Sequence, residues 1–145
     1  MNGEPRTDAQ NVEFAIVSDH AYVVGVRASC WRCRAAIEVV SIYCDSGWIL
    51  GEEQVGFLVS NVSAVDEPLR RQLLRWPQYR PERSGRDVAY FANHCPGCGC
   101  IQRDFFLHCQ PGGPFFCLDD VPEGELQVWP LAGTVRLTGD EGFEP

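Results

Sequence analysis

The sequence contains no lysine, a single methionine, and no apolar run near the roughly 18 residues that a membrane-spanning helix needs. Every one of the twelve basic residues is arginine, a bias that genomic base composition can produce by itself. The opening residues, Met-Asn-Gly-Glu-Pro-Arg-Thr-Asp, lack the basic-then-apolar pattern of a signal peptide, so the expected compartment is the cytoplasm. None of the three histidines, His20, His94 and His108, is followed by x-Glu. There is no HExxH, no P-loop and no nucleophile elbow. These absences exclude the commonest metal-hydrolase, nucleotide-hydrolase and serine-hydrolase signatures, and the expectation is that the chain is not an enzyme.

What the sequence does have is cysteine, eight in 145 residues. Without an export signal these are expected to be thiols or metal ligands rather than a disulfide framework. The length suits a single domain over residues 1–145, and 45% hydrophobic residues are enough for a packed core. The ends, 1–11 and about 139–145, are polar and expected to be flexible.

Charge is uneven. The formal net charge is −8. Half of the arginines, Arg70, Arg71, Arg75, Arg80, Arg83 and Arg86, fall in one stretch opposed there only by Glu82. The C-terminal part is acidic, with Asp119, Asp120, Glu123, Glu125, Asp140, Glu141 and Glu144 against Arg136 alone. An acidic whole argues against general nucleic-acid binding, because a phosphate backbone is held mainly by neutralising it. The Arg70–Arg86 stretch is either a solvated helix face or a local phosphate or partner site.

Hydrophobic patterning predicts strands at Phe14–Val17, Ala21–Ala28, Ala36–Tyr43, around Val55–Val59, at Val88–Ala92, Ile101–Cys109 and Phe115–Leu118, and one or two more within Leu126–Leu137. One helix is predicted: Asp66 caps it, Pro68 fits its first turn, Leu69, Leu73 and Trp76 share a face, and Pro77 ends it. Asp19-His20 and Gln78–Arg86 read as loops.

Strand, CxxC, strand occurs twice. Cys30/Cys33 and Cys95/Cys98 each fall at the tip of a predicted hairpin, where a tight turn aims two thiolates at one point. Two such turns face to face supply four sulfurs in a tetrahedron and leave no open coordination position, so the implied cofactor is structural Zn²⁺. A thioredoxin-like redox role would need CxxC at a helix N-terminus, and neither pair is followed by a helical pattern. Four thiolates and one Zn²⁺ would take the net charge to about −10. Cys44, Cys100, Cys109 and Cys117 read as small packing residues, with a second metal site, or a pairing of Cys109 with Cys117 across the Pro-Gly-Gly-Pro turn, as the alternative. His94 reads as a neighbour of the second pair or a surface group, with ligation as the alternative.

The two CxxC pairs, and above all Cys95-Pro96-Gly97-Cys98-Gly99, resemble the knuckles of the zinc-ribbon superfamily over residues 22–43 and 88–109. The stretch YFANHCPGCGCIQRDFFLH is similar to bacterial zinc-ribbon proteins of unassigned activity. The first pair, CWRCR, lacks the following glycine, and sixty-one residues separate Cys33 from Cys95. The resemblance therefore implies an α+β fold, mostly antiparallel β, with a zinc-ribbon core of two hairpins and one inserted helix. The functional expectation is a bacterial inhibitor or immunity-type protein that covers a basic protein partner. Candidate contacts are Trp31, Asp119 and Asp120, with Arg70, Arg71 and Arg75 serving a nucleic-acid-associated or regulatory alternative. Outward members of the Phe105–Phe106 and Phe115–Phe116 pairs are further anchor candidates.

Overall fold

The computed structural model describes residues 14–83, 89–110, 113–122 and 124–141. Three long strands come first: β1 (Ile16–Ser29), β2 (Ala36–Ile49) and β3 (Glu52–Val65). A short helix α1 (Glu67–Leu73) leads to a second sheet of β4 (Tyr79–Arg83), β5 (Ala89–His94) and β6 (Ile101–Gln102). One wide helical turn at Phe105–Cys109 and a tight one at Leu118–Asp120 follow, and β7 (Leu126–Pro130) and β8 (Val135–Glu141) complete the chain.

The strands β1, β2, β3 and β8 close on themselves. β1 pairs with β2, β2 with β3, β3 with β8, and β8 returns to β1 through Ile16–Ser18, all antiparallel. β7 runs beside the middle of β1, from Tyr22 to Val26. β1 exchanges β8 for β7 at an irregularity around Asp19-His20, where Thr134 donates to Asp19 at 2.6 Å. That pair is therefore a bulge inside a strand and not a loop. Closure also needs close backbone approach: a Cβ on Gly139 would sit 2.8 Å from the Ser60 carbonyl oxygen.

The α+β expectation is thus corrected. The chain is nearly all β, a small barrel with an attached three-stranded sheet, and its α-helical content among the described residues is the seven-residue α1. The ribbon core with an insertion is also overturned, because one CxxC hairpin is a wall of the barrel and the other belongs to a separate sheet. Two sequence signals were misleading. Between β2 and β3 the turn is Leu50-Gly51, with φ of 51° and 85°, a two-residue hairpin loop without the usual Asn-Gly mark. Gln78–Arg86 reads as a loop for want of apolar periodicity, yet Tyr79–Arg83 forms β4, which among the described residues pairs only with β5, and an edge strand tolerates Pro81. The predicted strands at Ile101–Cys109 and Phe115–Leu118 reduce to two residues of β6 and a set of turns. Expected flexibility at 1–11, and at 142–145, falls outside the described residues, whereas 139–141 complete β8.

Two cores result. Inside the barrel, Ile16, Val23, Ile42, Val59 and Leu137 are joined by Leu69 and Leu73 of α1. Asp66 caps that helix as expected, accepting from the Leu69 N–H at 3.1 Å, and Trp76 lies buried just beyond its end. The opposite face of β1 and β2, carrying Val24, Val26, Ile37 and Val39, packs under Leu107 and Phe115. Both faces of the hairpin are covered, which is why β1 reads as an unbroken apolar run and not as an alternation.

Candidate metal centre

Cys30 and Cys33 cap the β1–β2 hairpin, and Cys95 and Cys98 cap the β5–β6 hairpin. The fold brings the two tips together. All four sulfurs lie within 4.8 Å of one another, with Cys30 Sγ 3.7 Å from Cys98 Sγ and Cys33 Sγ 3.6 Å from Cys95 Sγ. Each hairpin thus contributes one sulfur to each close pair, the interleaving that a single ion between the turns requires.

The two turns are built alike. In the first, the N–H groups of Arg32 and Cys33 point at Cys30 Sγ at 3.4 and 3.5 Å, and Arg34 N–H donates to Cys30 O at 2.9 Å. In the second, Gly97 and Cys98 N–H point at Cys95 Sγ at 3.4 and 3.5 Å, and Gly99 N–H donates to Cys95 O at 2.8 Å. These donors favour the thiolate. The Cys33 N–H brings the Cys30 thiol down to about 6, and the Cys98 N–H likewise lowers Cys95.

Gly99 takes a φ of 82°, and the equivalent residue of the first turn, Arg34, takes 67°. A β-carbon in this region costs about 1–2 kcal/mol, so the first turn forms under local strain that the second avoids. Arg34→Gly is therefore expected to raise stability by up to about 1 kcal/mol without changing metal content. Denaturant unfolding of the metal-loaded variant checks this, and a loss of stability would mean that the Arg34 side chain has a compensating contact.

Groups around the sulfurs complete the site. Gln102, on β6, donates to Cys30 Sγ at 3.4 Å, and Arg32 donates to Cys100 Sγ at 3.4 Å, which raises the arginine further. Cys30 and Cys95 are buried and contiguous with the outer core, whereas Cys33 and Cys98 face solvent. Trp31 is 62% exposed at the first turn, with its indole N–H on Ile101 O at 2.8 Å, a bond that ties the two hairpins across the site. Among the described residues no other group of histidines, cysteines and carboxylates has the spacing of a metal site.

The remaining candidates are placed as follows. Cys44 is buried, and burial pushes its thiol up to about 11; Cys44, Cys100, Cys109 and Cys117 are all free thiols. His94 is buried with Nδ1 2.9 Å from Ala92 O and Nε2 3.1 Å from Glu82 Oε1, so its ring serves the second sheet. Arg70 and Arg71 both bond Glu67 one turn earlier on α1, and the Arg75 guanidinium lies 5.5 Å from the Trp76 ring centroid. The helix arginines are thus engaged locally, and Arg86 lies outside the described residues. Asp119 and Asp120 are exposed on the 118–120 turn, and of the second phenylalanine pair Phe115 is buried and Phe116 half-buried.

Sequence reasoning missed the setting of Asp119. It lines a groove of about 890 Å³ with Tyr22, Tyr43, Asp45, His108 and Glu141. Among the described residues no arginine lines it, and burial next to Asp45 and Asp119 raises the Tyr43 phenol. His108 is buried near Ser41 and against Phe115, and burial lowers it to about 4, so it is neutral at neutral pH. Asp45 and Glu141 are far from Asp119 in the chain; the β2–β3–β8 pairing brings the first two together, and the packing of Leu118 on the outer core brings Asp119 to them.

No family model, no curated protein sequence and no solved structure matches this chain. Its class is thus defined by its own geometry, a closed β-barrel joined to a second sheet by a four-cysteine cluster that can hold a metal ion.

Proposed function

We propose that this is a non-enzymatic, zinc-stapled binding protein, an inhibitor or immunity-type protein of the bacterial cytoplasm, which docks its acidic groove on a basic protein partner and blocks it. The single observation that carries this reading is the acidic groove on a metal-stapled scaffold whose four thiolates would leave the ion no open position. Zinc fits the donor set. Four thiolates at a Zn–S distance of about 2.3 Å stand about 3.8 Å apart in a regular tetrahedron, close to the 3.6 and 3.7 Å between the hairpins. Such an ion would supply cross-linking and no reactive water. Cys30, Cys33, Cys95 and Cys98 would hold it, with Gln102 and the turn N–H groups bearing part of the sulfur charge.

The groove supports the partner's chemistry. Asp45, Asp119 and Glu141 surround Tyr22 and Tyr43, whose rings are 6.5 Å apart, so carboxylates and aromatic faces meet an incoming guanidinium or ammonium together. The net charge of −8 would speed encounter with a positive surface. The nucleic-acid alternative has less support, since Arg70 and Arg71 are already paired with Glu67.

Affinity capture from a bacterial lysate tests the reading, with the Asp45→Asn/Asp119→Asn double variant as control. A basic protein is expected on the wild-type bait, lost from the variant and released by salt. Retention of nothing, or of proteins indifferent to both, would sink it.

A further inference from the structure

A second cleft, of about 710 Å³, opens beside the metal centre and plays no part in the acidic groove. It is lined by Arg27, Ala28 and Ser29 of β1, by Trp31, and by Gln102, Arg103 and Phe106 with their neighbours. Successive side chains on a strand point to opposite faces, so three consecutive residues can all line one cleft only where it meets the strand's edge. That edge is open. β1 pairs with β2 along its whole length, but on its other side the partners are β8 at Ile16–Ser18 and β7 at Tyr22–Val26. Among the described residues nothing pairs with Arg27–Ser29 on that side.

Around this open edge stand an apolar anchor site and positive charge. Trp31 and Phe106 are 62% and 51% exposed, large apolar surfaces at the mouth of the same cleft. Arg103 and Arg27 are exposed, and among the described residues neither pairs with a carboxylate. Glu38, which faces Arg27 across the β1–β2 ladder, extends instead over Gly25. Backbone edge, aromatic walls and unpaired guanidinium groups together describe a receptor for an extended chain with acidic side chains and an apolar anchor. A nucleic-acid strand would use the aromatics and the arginines but not the row of peptide groups.

We infer that an acidic peptide segment of a partner protein adds as a strand to β1 at Arg27–Ser29, seats an apolar side chain between Trp31 and Phe106, and pairs a carboxylate with Arg103. The site is independent of the acidic groove and of the basic partner proposed for it.

The test uses the full metal-loaded chain and an array of synthetic peptides that alternate Glu or Asp with Val, Leu, Phe or Trp. The strongest binder is then measured by fluorescence anisotropy, and a dissociation constant on the order of 10 µM is expected. Trp31→Ala and Arg103→Glu should each weaken binding about tenfold or more, with far-UV circular dichroism and metal content unchanged in Arg103→Glu. Phe106→Ala, at a position outside both CxxC turns, is the second variant should Trp31→Ala lose metal. N-methylation of alternate peptide nitrogens should abolish binding, since it removes the strand ladder and leaves charge intact. No binder on the array, binding indifferent to N-methylation, or a labelled oligothymidine bound more tightly than any peptide would each overturn the inference. Retained binding in Asp45→Asn/Asp119→Asn separates this site from the acidic groove.

Discussion

Replacing Cys95 by serine is expected to abolish metal retention and to lower the melting temperature by about 10–20 °C. The two sheets also meet through Tyr79 and Phe91, packed in the barrel core, and through Asn93 on β2, and an ion in the cluster would join them at the outer core. Cys30 and Cys95 are buried in it beside Leu107 and Phe115, so the variant loses a cross-link and leaves three thiols without their ion. Structural zinc in small domains supplies about 10–16 kcal/mol of apparent binding free energy, comparable to the entire stability of an ordinary domain. Not all of it is lost here, because the barrel core contains none of the ligands. A net loss of several kcal/mol, at about 2–4 °C per kcal/mol for a chain of this size, gives the stated range. Chelation of the wild type should reproduce the shift, with hydrogen exchange rising first in β5 and β6 and last in the barrel strands. Cys117→Ser, at an exposed free thiol, should change neither metal content nor melting. If Cys95→Ser keeps its metal and its melting temperature, the four-cysteine site is wrong.

Asn93→Ala is expected to cost about 3–5 kcal/mol, the largest effect of any substitution outside the cysteines. Asn93 lies on β5 at 1% exposure and does for β2 what a neighbouring strand would do. Its Oδ1 accepts from Val40 N–H at 2.8 Å, and its Nδ2 donates to Val40 O at 2.9 Å. Removing the amide leaves a buried N–H and a buried C=O unpaired at about 1–3 kcal/mol each, and adds a small cavity. The same two bonds position β5, and with it the second CxxC turn, so metal affinity should fall in parallel. Urea unfolding with metal present measures the first effect, and a competition titration with a chromophoric chelator measures the second. An alanine variant within 1 kcal/mol of the wild type would show that β5 is held in place without these two bonds, by the packing of Phe91 on the barrel core and by the metal.

Much of the metal centre was legible in the sequence because its logic is local. A CxxC spacing closes a turn by itself, and Gly99 supplies the positive φ that this turn needs. Arg34 hid the likeness of the first turn to the second, since nothing in its chemistry announces a left-handed backbone. The cap at Asp66 and the burial of Leu69 and Leu73 were legible for the same reason, being set by contacts within one helical turn and its face. β1 and β2 were recognised as strands but cut short, because a bulge at Asp19-His20 and a glycine at 47 look like ends when the partner strand is unseen.

Spacing along the chain names the members of the cysteine cluster: which four thiols, in which two turns. What that cluster joins rests on pairing between segments far apart in the chain. The return of β8 to β1 pairs segments more than a hundred residues apart, and such pairing leaves no periodic trace in either segment. That closure makes a barrel where a ribbon is expected, while the β2–β3–β8 pairing and the packing of the 118–120 turn gather Asp45, Asp119 and Glu141 into one groove. Asn93 fixes the second sheet to β2, and the edge of β1 at Arg27–Ser29 stays open beside the cysteine cluster. Local chemistry is written residue by residue along the chain, whereas closure depends on which distant backbone edges remain to be paired.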